Sequence, residues 1–131
     1  MKILVDTSVW LLALRRNQLN PIAEKLAVLI QTSQVVMIGP IRQELLSDIS
    51  DKNVFDGLKS RLEHFDDLPI TTSDYETAAE FYNICRSCGV QGSHTDFLIC
   101  AVAVSNNLKI FSADKDFEYY ARHLPIQLFE G

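Results

Sequence analysis

Four acidic residues, Asp6, Glu44, Asp96 and Asp114, stand where short apolar runs meet helical patterns. Asp6 directly follows Ile3-Leu4-Val5, and Glu44 lies in the first turns after Val35-Val36-Met37-Ile38. Asp114 is separated from Lys109-Ile110-Phe111 by Ser112 and Ala113, and Asp96 opens the apolar stretch that runs through Val104. Carboxylate oxygens are hard ligands and suit magnesium, with manganese as a substitute. The three histidines, His64, His94 and His123, are scattered, so no zinc set accompanies the acids. An all-oxygen acidic site without a protein nucleophile points to metal-assisted hydrolysis by an activated water. Phosphodiesters are the substrates such a site would recruit.

Each acid taken alone has a structural explanation. Asp6 can cap the helix after it, and the others can favour a helix N-terminus through the macrodipole, worth about 0.3–1 kcal/mol. Four carboxylates on one rim repel one another unless a proton or a metal intervenes, so the set is more informative than its members. Ser8, Thr95 and Ser112 lie beside three of the acids, where they can orient a carboxylate or cap a helix.

The elements that must position these groups alternate between strand and helix. Lys2 to Val5 reads as a buried strand, and Val9 to Arg15 as a helix started by Thr7 or Ser8. Asn20-Pro21 opens a second helix, with Ile22, Ala23, Leu26, Leu29 and Ile30 at helical spacing. Val35 to Ile38 is a second strand, closed by Gly39-Pro40, which begins the helix carrying Glu44. A helix from about Asn53 to Leu62 follows, then Leu68-Pro69-Ile70, whose proline confines it to a sheet edge. Ser73-Asp74-Tyr75-Glu76 spells a capping box for a helix toward Cys88 that stops at Gly89. Gly92 to Thr95 reads as a loop into the Asp96 helix, ended by Asn106-Asn107. Lys109 to Ser112, a helix from about Asp114 to His123, and the strand Ile126 to Phe129 complete the chain. This alternation predicts a three-layer α/β/α sandwich with a central, mainly parallel sheet, formed as one domain over residues 1–131. In open parallel sheets, ligand sites gather outside the carboxyl ends of the strands, which is where the acids fall.

Composition bounds the answer. At 131 residues with 47% hydrophobic and 22% charged side chains, the chain can build one proper core and is not of disordered composition. No apolar run approaches the roughly 20 residues of a membrane span, and the first residues lack the form of a secretory signal. Three cysteines, Cys85, Cys88 and Cys100, fit a reducing cytoplasm better than a disulfide scaffold. Cys85-Arg86-Ser87-Cys88 ends a helical stretch with no second pair, so buried or half-buried thiols on one helix are expected. The net charge of -5 argues against non-specific gripping of a phosphate backbone, although a bound cation would reverse the local field of an acidic pocket.

Ile3-Leu4-Val5-Asp6-Thr7-Ser8, Glu44, Asp96 to Ala101 and Ser112-Ala113-Asp114-Lys115-Asp116-Phe117 together resemble the PIN-domain nucleases, above all the VapC-type toxins of prokaryotic toxin–antitoxin pairs. The resemblance spans essentially the whole chain; its specificity lies in the ordered set. It implies a PIN-like α/β/α fold, magnesium at the acidic rim and endoribonuclease activity on RNA. Asp6, Glu44, Asp96 and Asp114 match the family's acidic quartet, with Asp6 and Asp96 as direct ligands. Glu44 and Asp114 then bind a second ion or act through water. Asp116 matches an acid of variable role and Phe117 a packing position, whereas His94-Thr95 before Asp96 departs from the pattern and leaves His94 without a role. The resemblance further implies a cytoplasmic homodimer held inactive by a cognate antitoxin. Trp10, Leu11, Leu14, Leu45 and Leu46 are the candidates for the antitoxin's groove, with Trp10 foremost.

The competing reading is a catalytically inactive PIN-like or receiver-like regulatory or scaffold domain. A receiver-type module carries two neighbouring acids after its first strand, where this chain has Thr7 and Ser8 behind Asp6. A haloacid-type phosphatase needs a second aspartate at the position of Ser8.

Overall fold

The first strand is apolar on both faces. In β1 (Ile3–Val5) successive side chains point to opposite sides of the sheet, yet all three are buried. Both sides must therefore be covered, as a three-layer α/β/α arrangement requires. The structure is a computed structural model that describes residues 1–14 and 20–130. Among these, β1 is followed by α1 (Thr7–Leu14), α2 (Pro21–Gln31), β2 (Val35–Val36), α3 (Gly39–Leu46) and α4 (Lys52–Leu62). Then come α5 (Thr72–Ser87), α6 (His94–Ser105), β3 (Lys109–Phe111), α7 (Asp116–Ala121) and β4 (Gln127–Leu128). The strand order is β2-β1-β3-β4 and every pairing is parallel, with Leu4 opposite Val36 on one side and Ile110 on the other.

Local chemistry sets the helix starts. Asn20 caps α2 by accepting the Ala23 amide at 2.7 Å, with Pro21 at the first helical position. Asp51 caps α4 through the amides of Asn53 and Val54. Ser93 caps α6 by accepting the Asp96 amide at 3.1 Å, so His94 and Thr95 lie in the first helical turn and not in a loop. α6 buries every residue from Phe97 to Ala103 and is the central helix of the core.

Several expectations shift. The Leu68-Pro69-Ile70 strand reduces to one parallel bridge between Met37 and Asp67, because the proline cannot donate to a ladder. The capping box of α5 is Thr71 with Asp74, two residues earlier than the Ser73–Glu76 match. The helix expected from about Asp114 begins at Asp116. Cys85 and Cys100 are buried as free thiols, but Cys88, at the C-cap of α5, is exposed. Arg15, the expected end of the first helix, lies outside the described residues. Trp10 is 4% exposed and packs edge-on against Phe65 at 5.3 Å, so it is a core residue and not an interface anchor. No helix among the described residues is long and apolar enough to cross a membrane.

Asp74 ties α5 to α6. Its carboxylate accepts the Thr71 amide at 3.0 Å and the Ser105 hydroxyl at 2.7 Å. Burial pushes its pKa up, but the hydrogen bonds from Thr71 and Ser105 outweigh this and hold it below the ordinary carboxyl value. The ionised form therefore favours the fold. Its contribution is complete at neutral pH and is lost as pH falls through the depressed folded value. Asp74→Ala is expected to cost about 1–3 kcal/mol at neutral pH. In urea denaturation, the gap from wild type should narrow on acidification to about pH 3.

Candidate active site

The parallel sheet delivers its acids to one rim. Asp6, the first residue after β1, continues the ladder by donating its amide to the Phe111 carbonyl at 2.9 Å, and it is only 6% exposed. Such a buried carboxylate needs donors, and two hydroxyls supply them. Ser8, the second residue of α1, and Ser112, just after β3, both donate to Asp6 Oδ2 at 2.8 Å. The same hydroxyls accept the Ala113 and Asp114 amides, each at 3.0 Å, so they lock the turn after β3 onto the end of β1.

That turn carries the next acids. Asp114 Oδ1 accepts the Asp116 amide at 2.9 Å, which folds the segment so that both carboxylates approach α6. Oxygens of Asp96, Asp114 and Asp116 lie within 4.8 Å of one another. Asp96 is half-buried, while Asp114 and Asp116 are exposed. Glu44, exposed on α3, is held separately by Thr7, whose hydroxyl donates to Oε1 at 2.7 Å. The tightest cluster is thus Asp96, Asp114 and Asp116. Asp6 is joined to the Asp114 turn through its two serines, and Glu44 is linked to the residue following Asp6.

The electrostatics match this crowding. Burial raises the Asp96 carboxyl above its ordinary value, and the charges of Asp6 and Asp114 push it the same way, against the Tyr120 and Ser93 hydrogen bonds. Tyr120 donates to Asp96 Oδ2 at 2.7 Å. Burial, and then the bond to Asp96, keep the phenol protonated well above its usual range. A cation would relieve the mutual repulsion of these acids. Their donor set is hard oxygen throughout, so the residues present fit magnesium or manganese.

Sequence reasoning missed Tyr120 and the role of Thr7, and ranked Asp116 below Glu44. Asp116 and Tyr120 stand four apart and share a helix face, which was the available signal. Among the described residues no hydrogen bond joins Thr95 to an acid. His94 stacks on Tyr82 at 5.1 Å.

The chain matches the PIN domain family over residues 3–123 of its 131 and belongs to it. Its fold is shared with FitAcB from Neisseria gonorrhoeae (TM-score 0.79, 22% identity, covering 98% of this chain and 96% of that one). It is likewise similar to VapBC2 from Rickettsia felis, solved bound to a DNA fragment from its promoter (TM-score 0.79, 16% identity, 98% of each chain). DNA-bound VapBC from Salmonella typhimurium gives a TM-score of 0.77 at 15% identity, over 98% of this chain and 97% of that one. No curated protein sequence matches the chain.

Proposed function

We propose that this PIN domain is a divalent-metal-dependent endoribonuclease and the toxin of a toxin–antitoxin pair. The observation that carries the reading is the convergence of Asp96, Asp114 and Asp116 on one rim of a PIN-family chain. In this reading Asp6, Asp96 and Asp114 hold magnesium, Asp116 adds a fourth carboxylate, and Glu44 completes the rim from α3. Magnesium, when bound, supplies a Lewis acid for phosphodiester hydrolysis by water. The chain's own contribution is to orient the acids. Ser8 and Ser112 restrain Asp6 through two hydrogen bonds, and Thr7 orients Glu44 through one. In this reading the nucleophile is water, and Ser8 and Ser112 serve to orient Asp6.

Family membership sets aside the receiver-like alternative, and an inactive PIN domain is one outcome of the test. The purified chain should cut RNA with magnesium or manganese and stop when the metal is chelated. Its melting temperature should rise with magnesium concentration in the millimolar range, since an ion bound only by the folded state stabilises it. No cleavage with either metal, together with an unchanged melting temperature, would overturn the reading.

The antitoxin's place is an apolar groove of about 850 Å³ between α1, α3 and α4, lined by Leu11, Leu14, Leu45, Val54 and Leu58, with Glu44 at its wall. Leu11 and Val54 are 49% and 55% exposed, large apolar surfaces for a chain without a partner. The groove reaches the acidic rim through Glu44, so an occupant with a basic side chain could enter both. The likeness of the fold to VapBC structures supports this assignment. Homodimer formation and a cytoplasmic location follow from the same toxin reading.

A further inference from the structure

We propose that Tyr120 is a positioning residue of the metal site, fixing Asp96 through its hydroxyl so that the carboxylates of α6, of α7 and of the turn before α7 share one centre. The inference rests on the metal-site reading above and deepens it.

Tyr120 is fully buried, yet its hydroxyl ends on Asp96 Oδ2 at 2.7 Å, the length of a charge-assisted bond. The ring cannot swing away. Phe97 packs against it at 4.9 Å between centroids and Phe117 at 5.2 Å. Tyr120 lies one turn after Asp116 on α7, and Asp114 stands two residues before that helix begins. The phenol therefore joins α7, which bears Asp116 and follows the Asp114 turn, to the third acid on α6. This one bond sets the rotation of the Asp96 side chain relative to Asp114 and Asp116.

The loop before α6 is shaped for this contact. A Cβ on Gly92 would stand 2.3 Å from the Tyr120 hydroxyl oxygen, 2.8 Å from the ring carbon bearing it and 2.9 Å from Phe97 Cε2. Gly92 is not among the residues of positive φ, so space and not backbone conformation demands glycine there. A tyrosine hydroxyl needing only some partner would not require a bare backbone to admit it beside a carboxylate of the cluster.

Tyr120→Phe removes one oxygen and keeps the ring, its packing and every acid. Manganese binding is measured directly, from the loss of the free-ion electron paramagnetic resonance signal, for wild type, Tyr120→Phe and Asp96→Asn, with folding checked by near-ultraviolet circular dichroism. Tyr120→Phe should weaken manganese binding about 10-fold, as loss of a partner holding a ligand does, while Asp96→Asn should weaken it further. RNA cleavage by Tyr120→Phe should need correspondingly more magnesium and recover toward wild type at saturation. Wild-type manganese affinity in Tyr120→Phe, with binding lost in Asp96→Asn, overturns the positioning role and leaves the metal site standing. Wild-type affinity in both variants overturns both.

Discussion

Asp6→Asn should abolish RNA cleavage, by about a thousandfold or more, while leaving the fold intact. That corresponds to roughly 4 kcal/mol of transition-state stabilisation. Asparagine fills the same volume at the end of β1, and hydroxyls can turn to donate or accept, so Ser8 and Ser112 keep a partner. What is lost is the negative charge at the most deeply buried acid of the rim. Single-turnover cleavage of RNA, alongside near-ultraviolet circular dichroism, separates the two effects. A variant that still cuts at the wild-type rate would remove Asp6 from the catalytic set. Asp96→Asn should lose cleavage equally and show a second signature. Because burial and neighbouring charge raise the Asp96 carboxyl, the folded state resists its ionisation. Charged Asp96 thus costs stability at neutral pH, and metal-free Asp96→Asn should melt higher than metal-free wild type. Magnesium should then stabilise the wild type and not the variant.

Gly92→Ala is expected to be among the most damaging single-methyl additions. The new Cβ would overlap the Tyr120 hydroxyl and the edge of Phe97. Overpacking of this kind costs about 1–3 kcal/mol, which thermal melting would read as a drop of several degrees. Relief requires Tyr120 to retreat, so manganese affinity should fall with stability. Gly57→Ala is the control. A methyl there meets nothing within 4 Å, and the residue lies inside α4. Its helix propensity should raise stability by about 0.5–1 kcal/mol. Equal behaviour of the two variants would show that the Gly92 contact is not close.

The strands and the acids behind them were legible because each signal is local. Ile3-Leu4-Val5 is uninterrupted apolar β-former, and Asp6 marks its end. Asn20-Pro21 names its helix start outright. The misread positions are those where distant contacts decide. Ser73–Glu76 has the spelling of a cap, but Thr71 wins because Asp74 also reaches Ser105, 31 residues on. Trp10 reads as an anchor until Phe65 covers it, a contact no periodicity encodes. Tyr120 is one aromatic among several near the end of the chain, and its importance depends on the docking of α7 beside α6. Glu44 was easy to nominate from its place after β2, whereas Asp116 needed the turn at Asp114 to bring it in.

Each of the four predicted acids already has one oxygen engaged by the protein: Asp6 Oδ2 by two serines, Glu44 Oε1 by Thr7, Asp96 Oδ2 by Tyr120 and Asp114 Oδ1 by a backbone amide. On the proposed reading, these bonds favour binding of an ion through the other oxygen of each, most strongly for Asp6, whose Oδ2 accepts two hydroxyls. Calcium favours carboxylates that bite with both oxygens and a shell of about six to eight ligands, whereas magnesium takes six at about 2.0–2.1 Å and keeps several waters. A rim most of whose acids favour one-oxygen binding suits the smaller ion, and calcium should compete for it less well than magnesium.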